Sequence, residues 1–139
     1  IKLLVYILMF KLSSRVQYGL EIMEALAERP EAFTYLTNIA EKIGRSANYL
    51  QQIIKPLKQA GLIESKEGVT GGIKLAKKPE DVSLYEVLIA LDGEVQPISC
   101  LSADHVCPTK QTCGHRKYWS KVTEMLEKQF KNTTLIDLK

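Results

Sequence analysis

The chain has 139 residues, of which 45% are hydrophobic and 25% charged, with a formal net charge of +3. That length suits one domain, or a small domain with an appended helix, and so mild a charge neither requires nor excludes nucleic acid. Three cysteines, an odd number, argue against a closed disulfide framework and for a reducing, cytoplasmic setting.

The first stretch is apolar. Residues 3–10 are too few to span a bilayer, and no small-residue cleavage site follows, so neither a membrane anchor nor a signal is expected. Position 1 is Ile, and Met9 directly precedes the regular pattern. Residues 1–10 are therefore read as an N-terminal extension, either upstream translated sequence or a real element.

From Ser13, a candidate N-cap, Val16, Leu20, Met23 and Ala27 with Ile22 and Leu26 make a helical stripe that ends before Pro30. A short second helix is expected around Leu36–Ile43, with Leu36, Ile39, Ala40 and Ile43 inward and Gly44 as its stop. Ser46 should cap a third, in which Leu50, Ile53, Ile54 and Leu57 recur at helical spacing. Pro56 is expected to kink or loosen its last turn. Two short runs, 62–66 and 73–76, flank a glycine-bearing turn and predict a β-hairpin. Ser83 and Glu86 form a capping box for a helix to about Leu91, with Gly93 beyond. A loop over 94–114 then leads to a long final helix with Trp119, Val122, Leu126 and Phe130 on one face. The tail from Thr133 is read as one more turn.

Three helices followed by a hairpin is the order of a winged helix-turn-helix. The fold class expected is therefore mostly α with a small β-hairpin: a winged-helix DNA-binding domain over 11–93, a cysteine loop over 94–114, and a long final helix with its tail over 115–139. Charge agrees: residues 42–78 hold eight basic side chains against two acidic ones. A solvated basic face on a protein-binding winged helix is the plainer alternative. Near the start of the third helix, Asn48, Gln51 and Gln52 carry amides that can pair with adenine, and Ser46 and Tyr49 carry hydroxyls suited to phosphates or bases. Lys55 and Lys58 suit phosphates, and Lys66 and Lys74 on the hairpin suit an approach to the minor groove; Gly68 of the wing and Lys11, ahead of the first helix, complete the expected DNA contacts.

All three cysteines fall in one loop, at Cys100, Cys107 and Cys113. Buried filler thiols would scatter over core positions; these stand among Ser, Asp, Pro, Thr, Lys and Gly. Three soft ligands suit zinc or an iron–sulfur cluster, with His115 or, less well placed, His105 as a candidate fourth donor. Catalysis finds no support, since no nucleophile triad, phosphate-binding loop, dinucleotide fingerprint or zincin helix is present.

The sequence resembles the Rrf-two type of winged-helix regulators, which includes iron–sulfur and nitric-oxide-sensitive repressors. The likeness lies in Lys11-Leu12-Ser13-Ser14-Arg15 with Tyr18 and Gly19, in Tyr49-Leu50-Gln51-Gln52, in Leu57-Lys58-Gln59-Ala60-Gly61-Leu62, and in Gly71-Gly72-Ile73-Lys74-Leu75-Ala76. Ala90-Leu91-Asp92-Gly93, the three cysteines before Trp119, and Thr133-Thr134-Leu135 with Asp137-Leu138 extend it along nearly the whole chain. The resemblance implies a homodimer joined along the long final helix, a double-stranded DNA operator, and a two-iron or four-iron cluster held by Cys100, Cys107 and Cys113.

Departures from the family pattern are specific. Where the family places a histidine three residues past the last cysteine, this chain has Arg116, with His115 one position earlier; a first-helix carboxylate position is Gln17. Before the wing glycine, Glu67 replaces the usual Arg, and a Glu would be repelled from a narrow minor groove. The function expected is a cluster-controlled repressor sensing cluster supply, redox state or nitric oxide. A zinc- or thiol-based repressor and a winged-helix interaction adaptor are the alternatives.

Overall fold

Ser13 opens the first helix as expected: its hydroxyl accepts from the Val16 amide at 3.2 Å, leading into α1 (Ser14–Ala27). The computed structural model describes residues 12–102 and 104–138; the expected extension over 1–10 and the candidate contact Lys11 lie outside the described residues. Then follow α2 (Leu36–Ile43) and α3 (Ala47–Gln59). Gly44, at φ 72°, sits in the left-handed region that lets the chain leave α2 and turn at once into α3. Leu50, Ile53, Ile54 and Leu57 of α3 are buried against Val16, Ile22, Met23 and Leu26 of α1 in one core. At about 1.5–3 kcal/mol for each such side chain, this inward stripe fixes which face of α3 turns outward.

Pro56 does not interrupt α3, which runs on to Gln59. The ring removes one helical N–H and crowds the carbonyl of Gln52, but the buried Ile53 and Leu57 on either side keep the turn seated.

The hairpin pairs β1 (Ile63–Lys66) with β2 (Gly72–Leu75) antiparallel, in register from Ile63 opposite Leu75 to Lys66 opposite Gly72. The sequence does not announce an isolated bridge that joins this hairpin to the helices. Thr34, just ahead of α2, donates to the Ile73 carbonyl at 2.8 Å and accepts from the Ile73 amide at 2.9 Å. The wing is thus tied to the start of the helix-turn-helix rather than hanging from α3 alone.

After a 3-10 turn at Pro79–Asp81 comes α4 (Leu84–Asp92), with the capping box intact: the Ser83 hydroxyl accepts from the Glu86 amide, and the Glu86 carboxylate accepts from the Ser83 amide at 2.9 Å. Lys77 also donates to Glu86 at 2.7 Å. Partial burial raises the Glu86 pKa, but these hydrogen bonds from Lys77 and Ser83, with the Lys77 charge, outweigh it and hold the carboxyl below its ordinary value. A depressed folded value means the cap stabilises above the ordinary carboxylate range and loses that contribution as pH falls through the folded value. In thermal unfolding scanned from neutral into acid, Glu86→Gln should therefore cost stability near neutrality and narrow the gap to the unmodified protein at low pH. A gap that stays constant with pH would remove Glu86 from the acid response.

A largely irregular segment holding a 3-10 turn at Ser99–Leu101 leads to α5 (Gly114–Asn132) and a last 3-10 turn, Leu135–Leu138. The tail folds back beside α4: the Leu84 amide donates to the Thr133 carbonyl at 2.8 Å and the Leu135 amide to the Val82 carbonyl at 3.1 Å. Leu135 is fully buried, so the tail is part of the core. Among the described residues no helix is long and apolar enough to cross a membrane.

Candidate nucleic-acid interface and cysteine loop

On the outward side of α3, Asn48, Gln51, Gln52 and Lys55 are all exposed. Their spacing of three and four residues puts them on one helical face, opposite the buried stripe. Ser46 accepts from the Tyr49 amide at 3.2 Å, so the cap is used while its own hydroxyl hydrogen stays available. Tyr49 is half-buried and meets Tyr18 of α1 edge to face, centroids 5.7 Å apart, which makes its ring a packing element.

At the wing, Lys66 is exposed at the end of β1 and Gly68 at the tip, beside Val69, which is 91% exposed. Lys74 is half-buried; its ammonium lies 3.7 Å from the Glu64 carboxylate and 5.2 Å from the Phe33 ring centroid. Part of its charge is therefore answered within the chain. Tyr35 donates its hydroxyl hydrogen to the Val69 carbonyl and braces the tip from the start of α2. Lys42 and Lys77 pair with Glu28 and Glu86. Among the described residues Arg45, Lys55, Lys58, Lys66 and Lys78 make no ion pair, so the basic excess reaches the surface on α3 and the wing. The list of contacts drawn from the sequence leaves out Arg45 and Tyr18, which lie against each other beside the cap of α3. A cation wedged between a left-handed glycine and a capping serine was the available signal.

The cysteine loop is held to α5 by Arg116, whose guanidinium donates to the Cys100 carbonyl. The residue standing where the family pattern has a histidine thus fastens the loop. Cys100 lies in the 3-10 turn, Cys107 in the irregular stretch, and Cys113 at the N-cap of α5; all three are half-buried free thiols. A hydrogen bond from the Thr109 hydroxyl, then one from the Thr109 amide, with the charge of Arg116, holds the Cys107 thiol below its ordinary pKa. His115 is exposed in the first turn of α5, His105 is exposed in the loop, and the Gln17 amide is bonded to the Leu12 carbonyl at 3.1 Å. Among the described residues no three Cys, His, Asp or Glu side chains converge closely enough to hold a metal ion. Three soft thiols, with His115 near the last of them, fit such a centre in kind, and seating it would require the loop to gather them.

Along α5 the apolar stripe divides. Leu126 and Phe130 pack on this chain's own core, and Trp119 and Val122 are half-buried. Tyr118 and Met125, the latter 72% exposed, continue the apolar surface outward.

A two-stranded wing, a capped and outward-facing third helix, and unpaired cations flanking both are the features of a winged-helix DNA-binding transcription regulator. Residues 12–139 match the family described as Rrf2, iron-dependent transcriptional regulator. The chain belongs to the Rrf2 family. It is 33% identical over 129 residues to the HTH-type transcriptional regulator CymR of Bacillus subtilis, covering 92% of this chain and 88% of that one. The solved structure of CymR, the global cysteine regulator of B. subtilis, superposes with a TM-score of 0.74 at 32% identity over 93% of this chain and 95% of that one. The structure of T. potens IscR does so with a TM-score of 0.71 at 32% identity, covering 93% and 85%.

Proposed function

We propose that this chain is a cytoplasmic repressor that binds a double-stranded operator through α3 and the wing as a homodimer, and that its cysteine loop sets its affinity for DNA. The observation that carries the DNA reading is the row Asn48, Gln51, Gln52 and Lys55, exposed on the face of α3 that its core packing turns outward. The partner copy would seat on α5 along Trp119, Val122, Leu126 and Phe130, with Tyr118 and Met125 widening that surface. Leu126 and Phe130 already serve this chain's core, so they would contribute less than the sequence pattern suggests.

For the loop, donor chemistry supports an iron–sulfur cluster, two-iron or four-iron, on Cys100, Cys107 and Cys113, with His115 as a candidate fourth ligand. Such a cluster supplies a redox- and nitric-oxide-sensitive group. The chain's own part would be to close the loop, which Arg116 already ties to α5. A second reading, thiol-based control without metal, is favoured by the lack of a convergent three-donor set among the described residues and by the depressed pKa of Cys107.

Protein purified without oxygen should separate the two. The cluster reading expects broad visible absorbance with iron and sulfide, abolished by Cys107→Ala while the helical circular dichroism stays. A colourless protein binding zinc stoichiometrically would move the reading to a structural metal. A metal-free protein that resists reconstitution would leave the thiol switch.

A further inference from the structure

Between the start of α1 and the turn joining α2 to α3 lies an open, mostly polar cavity lined by Ser14, Tyr18, Gly44, Arg45, Ser46 and Tyr49. We propose that it seats one phosphate of the DNA backbone, with Arg45 as the charged contact and Tyr18 as the residue that aims it. The proposal rests on the DNA-binding reading above and deepens it by naming a backbone contact at the edge of the recognition helix.

Arg45 is held ready. Its backbone amide donates to the Ala40 carbonyl at 3.1 Å, and its guanidinium lies 4.6 Å from the Tyr18 ring centroid while donating to the Tyr18 hydroxyl. A guanidinium has five N–H donors in a planar fork, and Arg45 makes no ion pair among the described residues, so most of that fork has no acidic partner within the chain. Stacking on tyrosine removes the rotamer freedom that a lone surface arginine would lose on binding.

The hydroxyls around it are arranged as donors. Tyr18 accepts from Arg45, which leaves its own O–H free to donate. Ser46 accepts from the Tyr49 amide, which leaves its hydrogen free as well. The first turn of α3 starts at this cavity, adding amides and the positive end of a helix. Among the described residues no carboxylate lines the cavity. A cation with several converging donors and no competing anion is complementary to a phosphodiester oxygen pair. The place matters too: Asn48 and Gln52 follow within the next two turns, so a phosphate fixed here would set the height at which those amides meet base edges.

The test uses the full chain, a duplex selected by the unmodified protein from a random pool, and an unrelated duplex. Arg45→Ala should weaken binding to both by a similar factor, roughly tenfold or more, and lower the slope of log affinity against log salt by about one for each Arg45 in the complex. Arg45→Lys should keep the slope but recover only part of the affinity. Tyr18→Phe keeps the ring and should give a smaller loss, again on both duplexes. Replacing backbone linkages one at a time with neutral methylphosphonate should reveal one linkage per half-site that weakens the unmodified protein but costs Arg45→Ala nothing further. An Arg45→Ala protein with native circular dichroism and unchanged affinity and slope would overturn the clamp and leave the DNA-binding reading standing. Loss confined to the selected duplex would also overturn it, by making Arg45 a base reader. Absence of salt-dependent binding by the unmodified protein would sink the DNA reading itself, and the clamp with it.

Discussion

Gly72→Ala is expected to lower the melting temperature by roughly 8 °C, on the order of 2 kcal/mol, and to weaken DNA binding along with it. Gly72 has φ +127°, and a Cβ built there would lie 2.5 Å from the Thr34 carbonyl oxygen and 2.7 Å from its carbon. Both are backbone atoms, so no side chain can swing aside. That same oxygen accepts from the Ile73 amide, so any retreat of Thr34 breaks the bridge that ties the wing to the start of α2. Gly68 supplies the control. It too has positive φ, at +100°, but nothing lies within 4 Å of a Cβ there. Gly68→Ala should carry the cost of backbone strain alone, about 1 kcal/mol, with the bridge intact. Thermal unfolding of the two variants side by side decides the matter. Equal losses would mean that strain, not the contact with Thr34, makes glycine necessary at 72.

Replacing Asn48 and Gln52 together with Ala should reduce binding to a selected operator to nearly the level seen on unrelated DNA. Both side chains are exposed, four residues apart on α3, and neither touches the core, so the fold should survive the change. A bidentate amide–adenine pair is worth about 1–3 kcal/mol of discrimination, hence roughly tenfold to a hundredfold for each residue. Their adjacency makes strict additivity unsafe, and the single variants are needed to measure the coupling. Titration of both duplexes at fixed salt reads the result. A loss shared equally by the two would make these amides positioning contacts and move sequence readout to Gln51 or to the wing. The salt slope should not change, because neither residue is charged. That behaviour is the opposite of the one expected for Arg45.

Much of the architecture was legible from local chemistry. Ser13, Ser46 and the Ser83–Glu86 box each cap the helix they precede, and Gly44 and Gly93 stand at the helix ends where a left-handed or irregular stop was expected. The stripe Leu50, Ile53, Ile54 and Leu57 faces inward, and the outward position of Asn48, Gln51, Gln52 and Lys55 follows from it. Periodicity and capping act over a turn or two of chain, so a single sequence carries them in full. The candidate DNA face was readable for the same reason.

Other features came only with the tertiary structure. The bridge of Thr34 to Ile73 joins positions with no periodic signal between them, and a one-residue strand has no pattern to detect. Arg45 reads as one more surface cation until the packing of α1 brings Tyr18 beneath it. On α5, sequence marks an apolar stripe, but only the seating of the helix on α4 decides that Leu126 and Phe130 turn toward the core while Met125 faces out. The cysteines show the same division: their clustering is written in the sequence, whereas their arrangement in space depends on a loop whose geometry comes from a few non-local ties such as Arg116 to Cys100. Local propensities determine what each segment is. Which surfaces meet is decided by how the core closes over all segments at once, because burial stabilises combinations of distant residues that no short window contains.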